Sequence, residues 1–170
     1  MKFLLPISLL AALPVHAGTF LVEAEQFANK GGWGVDTQFV ESMGSPYLIA
    51  HGLGKPVEDA TTEITVPDAG NYRVWVRTLD WTQRLGRKDS AGRFQVSIDG
   101  KPLVAELGKG ETKWTWQEAG KIDLKAGKAK LGLKDLTGFD GRADAVLFSS
   151  DAAFTPPADA TFEERTAWKI

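Results

Sequence analysis

The sequence predicts an all-β fold, an antiparallel β-sandwich followed by a short C-terminal helical tail. Three observations carry that reading. Short strand-like runs recur at near-regular spacing, with turn residues between them. No apolar repeat of helical period persists before the tail. The chain holds 18 Gly and 6 Trp, which suits tight turns with aromatic surface to spare, and no Cys, which excludes disulfides.

The strands are expected at 19–26, 35–40, 46–51, 59–66, 71–79, 92–99, 101–107, 120–125, 128–135 and 142–149. In the first, FLVEAEQF, side chains alternate between faces, so Glu23 and Glu25 share a face with Leu21 and Phe27. Lys30-Gly31-Gly32 and Pro67-Asp68-Ala69-Gly70 mark turns. Over 71–79, alternation sends Tyr72, Val74, Val76 and Thr78 inward and leaves Arg73, Trp75 and Arg77 on the opposite face. Asp99-Gly100, between FQVSI and KPLVAEL, is the strongest hairpin signal in the chain, with Phe94, Val96 and Ile98 facing one way. Ala126-Gly127-Lys128 turns the chain into 128–135. Phe154-Thr155-Pro156-Pro157 breaks any strand, and ADATFEERTAWK, 158–169, reads as a short amphipathic helix or a loose end.

The first seventeen residues, MKFLLPISLLAALPVHA, have the make-up of a cleaved secretory signal peptide. Lys2 supplies the positive start, Phe3 to Val15 the apolar stretch, and Val15-His16-Ala17 the small residues of a cleavage site. The apolar run is too short to span a bilayer, and no membrane span is expected elsewhere. The domains are therefore 1–17 signal peptide, 18–152 β-sandwich binding module and 153–170 tail, with a secreted or periplasmic location. A net charge of −2 gives no basic balance for nucleic acid. Without Cys there is no thiolate metal site and no Cys nucleophile.

Two carboxylates side by side among apolar neighbours repel each other and resist desolvation. The last strand, RADAVLFSS, brings in Asp144, and in a sandwich the first and last strands commonly lie side by side. Glu23, Glu25 and Asp144 could then converge on one hard cation, because Ca2+ takes several oxygens at about 2.3–2.6 Å. The spacing equally allows two ordinary edge-strand charges.

The opening "EAE" strand paired with a closing "DAVLF" strand resembles family 6 and family 35 carbohydrate-binding modules. That resemblance implies a jelly roll, galactose-binding-like, with a structural calcium between first and last strands and Glu23, Glu25 and Asp144 among its ligands. WGVDTQFVESMGSPYLIAHGLG, ITVPDAGNYRVWVRT and GRADAVLF are similar to the binding-domain-like module of xanthan lyases and golvesin. The same pattern, with EAEQF, VRTLDW, KWTWQEAG and LTGFDGRADAVLF, also resembles a module attached to secreted FAD-dependent oxidoreductase-like proteins. There is no Gly-x-Gly-x-x-Gly and no flavin domain in this chain, so no flavin or nucleotide is expected.

Binding candidates come from the exposed aromatics and their polar neighbours. Trp75 between Arg73 and Arg77 would stack on a sugar ring and pair with carboxylates, as an acidic polysaccharide requires. The alternative is that loops cover this face, with Trp75 packed and the arginines in salt bridges. The long polar loop LDWTQRLGRKDSAGR, 79–93, offers Asp80, Trp81 and Arg84. Trp33, Trp114, Trp116 and Phe139 are further aromatic candidates. The binding set is therefore Trp33, Trp75, Arg77, Asp80, Trp81 and Arg84. Enzyme chemistry has no local signature: His51 is the sole His of the mature chain, and Gly-x-Ser-x-Gly is absent. A lyase built on His51 or Tyr47 with Arg73 or Arg77 is conceivable, as is a glycosidase pair from Asp80, Asp135 or Asp140, but no spacing selects them. The function expected is non-catalytic binding of a polysaccharide or glycan by a secreted module with a structural Ca2+. The alternative is a module docking, through its C-terminal helix, to a separate secreted enzyme subunit.

Overall fold

The structure is a computed structural model and describes residues 18–169. The expected signal peptide, 1–17, lies outside the described residues. Eleven strands and two short helices follow in order: β1 Thr19–Glu23, β2 Gly34–Asp36, α1 Val40–Met43, β3 Tyr47–Ala50, β4 Ala60–Val66, β5 Gly70–Thr78, β6 Phe94–Ile98, β7 Lys101–Pro102, β8 Thr115–Leu124, β9 Gly127–Asp135, β10 Gly141–Ala143, β11 Ala145–Ser149 and α2 Phe162–Thr166.

Two antiparallel sheets face each other, ordered β1-β11-β5-β8 and β4-β9-β6-β7. A smaller sheet, β10-β3-β2, closes the arrangement. The core between the main sheets takes Phe20, Tyr72, Val74, Val76, Val146 and Phe148 from one and Ile64, Val66, Val96, Ile98, Leu131 and Leu133 from the other. The inward sets expected for β5 and β6 are all buried. Phe20 stacks on Phe148 with ring centroids 4.6 Å apart, which ties the first strand to the last at the centre of the sandwich.

The first and last strands pair as expected, from Thr19 opposite Ser149 to Glu23 opposite Ala145. All five residues of β11 are buried. Such a run needs cover on both faces. The tail supplies it: Leu21, Trp75, Ala145 and Leu147 on the outer face form a second apolar cluster with Phe154, Ala160 and Trp168. α2 starts in a reciprocal capping box, where Thr161 and Glu164 satisfy each other's backbone amides. The Leu21 amide donates to the Trp168 carbonyl at 2.6 Å, so the tail is strapped to the edge strand.

Local details differ from the sequence reading. β1 ends at Glu23, and residues 24–26 form a single 3-10 turn. The helix α1 replaces the end of the expected 35–40 strand. β8 begins at Thr115, earlier than the expected 120, and runs through a β-bulge where Val74 pairs with Gly120 and Trp75 with Glu118. The expected 101–107 strand is continuous only over Lys101–Pro102, with an isolated bridge from Leu107 to Phe94. The Asp99-Gly100 hairpin is present, with φ of 50° and 78° at the two turn residues.

Candidate functional site

Four loops meet beside the small sheet: 51–55, 79–93, 106–113 and 137–141. Buried aspartates hold them. Asp80 accepts from the Thr82 hydroxyl at 2.7 Å, the Ser90 hydroxyl at 2.6 Å and the Gly110 amide at 3.1 Å, joining two loops. Burial raises the Asp80 carboxyl, but these bonds outweigh it and hold it below the usual range. Asp135 accepts from the amides of Val57, Thr137 and Gly138 at 2.9–3.1 Å. Both aspartates are fully committed to backbone and loop donors. They are scaffold, and neither reaches out as a sugar contact or an acid catalyst.

On this scaffold the Trp81 indole lies over the Phe139 ring, centroids 5.8 Å apart and planes 11° from parallel. Its Nε1 donates to the Phe139 carbonyl at 3.2 Å. Phe139 is 39% exposed and Trp81 is partly exposed, so the pair forms an apolar platform at the surface. The Arg142 guanidinium sits 5.2 Å from the Trp81 ring centre. Beside Phe139 runs a groove of about 520 Å3 lined by Asp89, Ser90, Arg93, Glu106, Lys109 and Thr137. Exposed His51 pairs through Nδ1 with Asp140 at the same loop cluster.

A second aromatic group adjoins it. Tyr47 packs on Trp114 with centroids 4.9 Å apart, and Phe39 packs on both. Arg84, reaching from the 79–93 loop, lies 5.6 Å over Phe39. The Tyr47 hydroxyl donates to Asp36. Burial and that bond push the Tyr47 phenol well above its usual range, which keeps it protonated at neutral pH. Arg73 is paired with Glu118 at 2.8 Å, and Arg77 with Asp144 at 2.8 Å. Of the residues conceivable for a lyase, Tyr47, Arg73 and Arg77 are thus tied to partners within the fold, and His51 is exposed beside Asp140.

Of the expected binding residues, Trp81 and Arg84 are at this surface. Trp75 is 3% exposed and lies under the tail, edge-on to Phe154 at 6.0 Å, with Arg73 4.5 Å over its ring. The other face of β5 is covered, so Trp75 offers no surface to a ligand. Trp33 is also 3% exposed and packs edge-on to Phe94 in the main core. Arg77 and Asp80 are committed as described. The tail has its apolar residues Phe154, Ala160 and Trp168 buried against its own sheet, which leaves them unavailable for docking elsewhere.

The three acids expected to hold calcium do lie near one another, Glu23 at the end of β1, Glu25 in the following turn and Asp144 in the break between β10 and β11. What faces them is positive charge from the chain itself. Arg165 Nη1 is 2.9 Å from Asp144 Oδ2 and 3.6 Å from Glu23 Oε2, and Lys169 Nζ is 3.0 Å from Glu23 Oε1. The Ser45 hydroxyl donates to Asp144 Oδ1 at 2.8 Å. Burial, then the Asp144 charge, raises the Glu23 carboxyl, and burial pushes Glu25 up to about 7. Among the described residues no three His, Cys, Asp or Glu side chains are grouped to hold a metal ion. A cation of six to eight oxygen ligands does not fit between Glu23 and Asp144 while a guanidinium lies there.

No protein-family model matches the sequence, and no curated protein matches it significantly. Solved structures do match. A family 35 carbohydrate-binding module from Clostridium thermocellum is 18% identical, with a TM-score of 0.59 over 78% of this chain and 98% of the module. The C-terminal family 6 module of LamC, a marine laminarinase from Zobellia galactanivorans, is 20% identical, with a TM-score of 0.56 over 77% of this chain and 98% of the module. A GH26-CBM35 β-(1,4)-mannanase from Podospora anserina is 22% identical with a TM-score of 0.60, and this chain, 82% covered, spans 29% of that larger protein. The chain has the fold of family 35 and family 6 carbohydrate-binding modules.

Proposed function

We propose that this chain is a secreted, non-catalytic carbohydrate-binding module whose ligand lies across the Trp81–Phe139 platform and the adjoining groove. The observation that carries the reading is the stacked pair itself. Two near-parallel rings, one of them 39% exposed, stand at a rigidly pinned loop cluster beside a groove of alternating polar groups. A pyranose ring needs a flat apolar surface for its C–H face and nearby polar groups for its hydroxyls. Ser90, Asp89, Glu106 and Thr137 supply acceptors and hydroxyls, and Arg93 and Lys109 supply donors. The shared fold with carbohydrate-binding modules supports the same reading. Arg93 is paired with Glu106 at 2.8 Å, and Arg84 and Lys109 supply the positive charge that favours polysaccharides carrying carboxylates.

Native gels cast with a β-mannan, a β-1,3-glucan or a polyuronate test this. Retardation is expected in at least one gel, strongest in the polyuronate, and lost on Trp81→Ala or Phe139→Ala. A folded protein that migrates identically in all three gels sinks the proposal.

A further inference from the structure

The acid cluster that links the first and last strands carries an inference independent of the glycan reading. Arg165 is fully buried, yet it is a permanent charge. A buried guanidinium is tolerable where carboxylates and other acceptors face it. Both terminal nitrogens of Arg165 have acceptors, while its Nε has none. Nη1 lies 2.9 Å from Asp144, and Nη2 donates to the Met43 carbonyl at 3.2 Å and to the Ser45 hydroxyl at 3.3 Å. The local balance is three acids, Glu23, Glu25 and Asp144, against three bases, Arg77, Arg165 and Lys169. A divalent cation added to that set would meet three positive groups and make the cluster strongly positive.

The tail is built to keep Arg165 in place. The capping box starts α2, the Trp168 carbonyl accepts from Leu21, and Phe154, Ala160 and Trp168 seal the outer face. Phe162 packs so closely on Gly44 that a Cβ there would lie 2.6 Å from the Phe162 Cβ. We propose that the Arg165 guanidinium, delivered by the C-terminal segment, serves as the resident counter-cation of Glu23 and Asp144, so that the chain fastens its first and last strands without a bound divalent ion.

The test uses the full chain, stripped with EDTA and melted with and without calcium. The expected result is one Tm under both conditions, and no tryptophan-sensitised emission from terbium used as a calcium probe. Arg165→Ala and Asp144→Asn should each lower Tm by roughly 10 °C, because each strands a buried charge. The double variant should lose clearly less than the sum. A wild-type Tm that rises with calcium after stripping overturns the proposal, as does strict additivity of the two losses. Should the single variants fail to fold, the wild-type calcium response decides it alone: no response supports the proposal and a response overturns it.

Discussion

The Trp81 indole and the Phe139 ring lie 11° from parallel with centroids 5.8 Å apart, joined by a hydrogen bond from one ring's nitrogen to the other residue's carbonyl. The pair is stiff before any ligand arrives, which lowers the ordering cost of binding. Central aromatics in binding sites commonly contribute about 2 kcal/mol or more, some 30-fold in affinity. Trp81→Ala is therefore expected to abolish retardation in polysaccharide gels. Because the side chain is partly exposed, the melting curve should move by only a few degrees.

Trp75 separates from Trp81 in the opposite sense. It is buried against Phe154 and in one cluster with Leu147 and Trp168. Trp75→Ala should cost about 3–5 kcal/mol of stability. Trp75→Phe should restore much of that loss. Gel retardation by the folded Trp75→Phe protein should match wild type. Chemical unfolding with a glycan gel run in parallel distinguishes the two tryptophans.

The contrast shows what the sequence could and could not reveal. Alternation in NYRVWVRT places Tyr72, Val74 and Val76 inward correctly, since period-two patterning reports which face a side chain occupies. It does not report what covers the other face. The cover of Trp75 comes from Phe154 and Trp168, about eighty and ninety residues away, in a segment too short to announce its docking. The pairing of first and last strands was legible from EAE and DAVLF, but the cation facing the acids was not. Arg165 sits in a polar-looking helix, FEERT, where an arginine ordinarily faces water. Trp81 and Phe139 were each visible as aromatics in loops. Their stacking depends on long-range loop convergence, enforced by Asp80 and Asp135, which no local pattern encodes.

Asp80 gives a pH prediction. Its carboxyl is held below the usual 3.8 by hydroxyl and amide donors. A depressed folded value contributes stability that is present above the unfolded value and is lost as pH falls through the folded one. Amide protection at Thr82 and Gly110 should therefore hold at neutral pH and decline below about pH 3.8. Asp80→Asn should be less stable at neutral pH, and its deficit against wild type should shrink under acid. Hydrogen exchange across pH on both proteins measures this. A deficit unchanged by pH would show that the charge on Asp80 is not what holds the loops.

Gly44 tests how the tail is seated. Its φ is +80°, and an added Cβ would lie 2.6 Å from the Phe162 Cβ, which α2 fixes in position. Gly54 shares the left-handed backbone, φ +86°, but a Cβ there meets nothing within 4 Å. Gly54→Ala thus isolates the backbone strain, about 1 kcal/mol. Gly44→Ala carries the same strain plus a collision that must push α2 away, taking Arg165 off Asp144. It should lose about 2–4 kcal/mol. The excess over Gly54→Ala should come with new proteolytic cleavage between Phe154 and Trp168. Equal losses for the two variants, with the tail still protected, would mean that α2 can shift without disturbing the Arg165–Asp144 pair.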